Sequence, residues 1–209
     1  MARRERRKPK TIAPEAIFLQ AVNFHMAFKV LEGWKAPHPS GKRAMAIPGS
    51  VISALAIELF LKTIICIETG HIPSTHNLLV LFNHLKPQTQ SDVQAEWDHY
   101  AKVHEHRWAD FDALLGQPVA RDLQTALKVG SRTFELARYY YEESAEFQFY
   151  LGALPEMLKR VIFKLRPDFA ARAKVAAESL YGGDGHEKTG QGEGLATNPL
   201  RFSAVKSMR

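Results

Sequence analysis

Apolar residues recur at 4-3-4-3 spacing early in the chain: Ile17, Ala21, Phe24, Phe28 and Leu31. This is the period of one helix face and predicts a helix over residues 14–31. Pro14 suits its first turn, and Glu15 suits the positive end of its dipole. Residues 33–47 (GWKAPHPSGKRAMAI) lose the period and read as a loop rich in Gly, Pro and Lys. A second helix, over 48–68, is apolar on most sides and should be the central, most buried one. Gly70 follows as a left-handed cap.

Pro73, Ser74 and Thr75 start a third helix over 75–86, stopped by Pro87. Ser91 with Gln94 fits a capping box for a fourth, over 91–107, whose Val93, Trp97, Tyr100, Ala101 and His104 share a face. A long fifth helix over 118–143 has Gly130 as a kink point. Residues 147–151 are short and aromatic, suited to extended chain. A sixth helix over 154–165 takes Pro155 in its first turn, Pro167 marks a corner, and 168–181 is an Ala-rich last helix. The pattern predicts an all-α antiparallel bundle of six to seven helices, with no internal repeat.

Composition sets the class. The chain has 209 residues, enough for one domain with a real core, and at 45% hydrophobic and 24% charged it reads as an ordinary soluble globular protein. The longest apolar run, within 51–67, is broken by Glu58 and Lys62 and reads as short of a membrane span. The start of the chain has no secretory pattern, because Pro9 and Pro14 follow its basic residues. A lone Cys66 excludes an internal disulfide and points to a reducing, cytoplasmic setting. Set in an apolar run, it reads as a structural thiol.

The net charge of +6 is unevenly placed. Residues 1–10 (MARRERRKPK) hold six basic residues and one acidic, while residues 11–181 are close to neutral. The organisation expected is a basic disordered tail over 1–11, a bundle over 12–181 and a Gly-rich disordered tail over 182–209. The basic tail either attracts phosphates in a salt-sensitive way or only solubilises.

Several clusters could carry chemistry. Glu58 and Lys62 are spaced i, i+4 in the favourable order, as a structural pair or as part of a polar pocket. His76 can cap the third helix, bond back to the second, or act in acid–base chemistry. Arg138, Tyr141 and Glu142 lie in the densest aromatic–basic stretch, suited to stacking on bases or to helix packing. His99, His104, His106 and Arg107 form a weaker cluster that could line a phosphate site. Glu96 and His99 make a single E-x-x-H; a di-iron bundle needs two, so no metal or cofactor is expected.

The run Ala56-Ile57-Glu58-Leu59-Phe60-Leu61-Lys62, then Gly70, then Thr75-His76-Asn77-Leu78 with Leu81, resembles the HEPN superfamily (higher eukaryotes and prokaryotes nucleotide-binding). The stretch Phe134 to Glu142 looks like an F-x-x-x-R-Y-x-Y-E segment of bacterial HEPN-like proteins. The resemblance implies an antiparallel, often dimeric, bundle in a bacterial setting of RNA cleavage, nucleotide handling, toxin–antitoxin pairs or phage defence. It also implies an RNA or nucleotide ligand and a neighbouring-gene protein partner; the broken apolar run adds the expectation of no membrane association. A polar pocket of Glu58, Lys62, His76, Asn77, Arg138, Tyr141 and Glu142 would be its site. Catalytic members carry Arg, four to six residues, then His, and no Arg in this chain has a His at that distance. The expectation is a binding or accessory module; a divergent ribonuclease and a protein-interaction module are the alternatives.

Overall fold

Prolines open several helices of this chain, because the missing N–H costs nothing in a first turn. The computed structural model describes residues 13–34, 39–115, 118–119, 121–133, 136–137 and 149–181. Its helices are α1 (Pro14–Gly33), α2 (Pro39–Thr69), α3 (Leu78–Asn83), α4 (Pro87–Val103), α5 (Glu105–Leu115), α6 (Leu123–Gly130), α7 (Leu154–Leu165) and α8 (Asp168–Tyr181). The described residues contain no strand, so the all-α expectation holds. The two tails expected over 1–11 and 182–209 lie outside the described residues.

The helix boundaries depart from expectation where prolines and caps act. Residues 39–47, expected as loop, continue α2 at its start and leave Pro48 inside the helix. That proline forgoes one backbone hydrogen bond. It stays exposed, while neighbouring Gly49 and Ser50 are buried and Gly49 lies against the Phe28 ring. Pro87 opens α4 rather than merely stopping α3, so Ser91 and Gln94 sit inside a helix instead of capping one.

Lys86, at the N-cap of α4, offers no side-chain cap. Glu68 of α2 serves instead, accepting the Lys86 N–H at 2.9 Å and the Thr89 hydroxyl at 2.5 Å. His104 leaves helical geometry (φ −108°, ψ 34°), which splits the expected fourth helix into α4 and α5. Asp122 caps α6 by accepting from the Thr125 N–H, and the helix ends at Gly130. A Cβ at Gly130 would run into the Leu151 side chain, so glycine there admits the crossing chain rather than a kink. Residues 149–151, expected as extended, are non-helical.

Helix α2 is the centre of the bundle and touches α1, α3 and α7. Its Ile57, Phe60, Leu61 and Ile64 are fully buried. Each such side chain contributes about 1.5–3 kcal/mol on burial. Phe18 of α1 meets Phe60 of α2, Phe163 of α7 and Phe169 of α8, joining four helices. Phe18 beside Phe60 and Phe28 beside Gly49 show that α1 and α2 are antiparallel. A second aromatic group, Trp97, Trp108 and Tyr150, fills the far end, with both indole N–H groups donating to backbone carbonyls.

Candidate functional site

One turn of helix separates Glu58 from Lys62, so both project from the same face of α2. Lys62 Nζ donates to Glu58 Oε1 at 2.8 Å, and the side chains are only 11% and 6% exposed. The two charges are therefore a nearly buried ion pair. Charges at such depth need partners, because desolvation of each costs several kcal/mol.

The chain then reverses at Gly70, whose φ of +70° is the left-handed cap expected. Residues 71–77 are non-helical and return His76 to α2. His76 Nδ1 lies 2.9 Å from the same Glu58 Oε1. The carboxylate beside a Lys ammonium can only accept, so His76 donates Nδ1–H; in the neutral ring Nε2 then carries the lone pair. The His76 side chain is 74% exposed. Glu58 Oε2 is buried, with no hydrogen-bond partner among the described residues.

Asn77 ends this connection as the N-cap of α3, accepting the Val80 N–H at 3.0 Å. The third helix was expected from Thr75, with His76 as a candidate cap; it begins instead at Leu78, and Thr75 accepts the Asn77 N–H. Ser131, just past α6, accepts the Leu78 N–H at 2.9 Å while donating to the Leu127 carbonyl. This tie holds the His76–Asn77 segment between α2 and α6. Ser131 carried no sequence signal beyond its place after Gly130.

The structure thus brings together Glu58, Lys62, His76 and Asn77. Arg138, Tyr141 and Glu142, proposed for the same pocket, lie outside the described residues. In the weaker cluster, His104 stacks on Tyr100 at 4.3 Å and His106 is 6.2 Å from His104, while His99 is exposed on α4. The side chain of Arg107 is outside the described set. Glu96 is held by Arg160 and Lys164 of α7. Its partial burial pushes its pKa up, but those two cations outweigh this and hold it below the usual range. Among the described residues, no three His, Cys, Asp or Glu converge as metal ligands. Cys66 is buried, and desolvation pushes its thiol up, away from nucleophilic chemistry.

A second polar contact was not singled out from sequence. His25 of α1 is 3% exposed and its Nε2–H donates to Glu156 Oε1 of α7 at 2.7 Å. That bond, with Lys159 alongside, pulls the Glu156 pKa down to about 2 against the opposing effect of burial. His25 follows Ala21 by four and precedes Phe28 by three, which places it on the buried face.

No family model, curated protein or solved structure matches the chain.

Proposed function

We propose that this chain is a HEPN-like helical module that binds RNA or a nucleotide through its phosphates. One observation carries the reading: His76 is exposed yet anchored, with Nδ1 fixed to buried Glu58 and Nε2 directed away from that bond. An anchored imidazole at the surface is a ready phosphate contact, since little conformational freedom is lost on binding. Lys128 and Arg132, exposed on either side of Ser131, add positive charge at the neighbouring end of α6. The A-x-E-L-x-L-K and T-H-N-L resemblance supports the same ligand class.

Fluorescence anisotropy with a labelled single-stranded RNA tests the reading. Salt-sensitive binding is expected, and His76→Ala should weaken it about tenfold, or about 1.4 kcal/mol. Absence of saturable binding, or equal affinity of the variant, overturns it.

The same geometry supports one rival, a divergent ribonuclease. A carboxylate that fixes Nδ1–H leaves Nε2 free to accept a proton, as a general base does. Cleavage of a ribo-oligonucleotide that is lost in His76→Ala, and absent with the 2′-deoxy substrate, would favour that rival.

A further inference from the structure

We infer that His76 takes up a phosphate group only together with a proton, so that pH sets the affinity of this site. The inference deepens the phosphate-binding reading above and rests on it. In the neutral side chain Nδ1–H is already donated to Glu58, and Nε2 offers only a lone pair. Phosphate oxygens are acceptors too, so the two repel. Lys62 offers no remedy: its ammonium is nearly buried and donates to Glu58 Oε1.

Protonation reverses this: Nε2 becomes a charged donor at an exposed position, while Nδ1–H stays on the Glu58 carboxylate. The ionisable groups on the elements meeting here include Glu58, Lys62 and Glu68 of α2, His71 earlier in the connection, His84 after α3, and Lys128 and Arg132 at the end of α6. Lysine and arginine keep their charge across about pH 5–8, whereas imidazoles titrate there. Proton-linked affinity in that window therefore reports on an imidazole or an α-amino group, and comparison with His76→Asn tells whether it is His76.

The test is RNA affinity by anisotropy across about pH 5–8, for the full-length protein and for His76→Asn. The Asn amide reaches the position of Nδ1 and can still donate to Glu58, but it has no Nε2 to protonate. Thermal melts at each pH confirm that the exposed substitution leaves the fold intact. The full-length protein should lose up to about tenfold in affinity per pH unit on the alkaline side, as the binding-competent fraction falls. His76→Asn should bind weakly, with a flat profile. A flat profile for the full-length protein, with binding present, overturns the proton coupling and leaves the phosphate-binding reading standing. An equally steep profile in His76→Asn also overturns it, since another titrating group would then be responsible. No binding at any pH removes the reading on which the inference rests.

Discussion

Glu58 shows how two charges that look like a surface pair become an internal anchor. Its carboxylate holds Lys62 and His76 at one oxygen, so its removal strands an ammonium in a nearly dry site. Glu58→Gln should cost about 3–5 kcal/mol, read from urea unfolding. The double variant Glu58→Gln/Lys62→Met should recover most of that loss; an unaltered midpoint for the single variant would refute the anchoring role. Glu156 makes a different case, because its side chain is 39% exposed and solvent weakens the contact. Its folded pKa lies near 2, below the ordinary glutamate value of about 4.3. The stabilisation is thus complete above the ordinary value and is lost as pH falls toward 2. Compared with Glu156→Gln, the native chain should be about 1 kcal/mol more stable at neutral pH, with the gap closing between about pH 5 and pH 2.

Helix ends in this bundle are set as much by distant groups as by local ones. Asn77 is a local cap, and Asn77→Ala should lower stability by about 1 kcal/mol in thermal melts. The same change should loosen the segment that holds His76, seen as faster amide exchange at Val80. Unchanged exchange there would mean that Ser131 alone secures the connection. By contrast, α4, opened by Pro87, takes its cap from Glu68 at the end of α2. No periodicity or capping motif around Lys86 announces this contact, because its acceptor lies 18 residues earlier in the chain.

At the level of the full chain, the molecule joins a strongly apolar central helix to a strongly basic start. By length and composition Ile47–Thr69 is sufficient to cross a membrane, contrary to the estimate from the uninterrupted apolar run; in the structure 72% of its window is buried in the bundle. Its neighbours α1, α3 and α7 supply that burial. Most of the net charge of +6 resides in residues 1–10. Deleting those residues should flatten the salt dependence of RNA binding, since each lost phosphate contact on a single strand removes about 0.7 from the log–log slope. A residual affinity that still responds to His76 is expected; an unchanged slope would show that the basic start takes no part.

The sequence by itself determined the helical class, the central position of α2, the reversal at Gly70 and the placing of Glu58 and Lys62 on one helix face. All four follow from local rules: a 3.6-residue period, an apolar run, and a glycine that tolerates positive φ. Only the tertiary structure decided that the pair would be nearly buried, that His76 would return to it, and that Ser131 would hold Leu78. It alone joined His25 to Glu156 across 131 residues. Periodicity specifies which face of a helix is turned inward. Which partner meets that face depends on how reversals and side-chain packing bring distant helices together, and these long-range contacts leave no spacing in the chain to read.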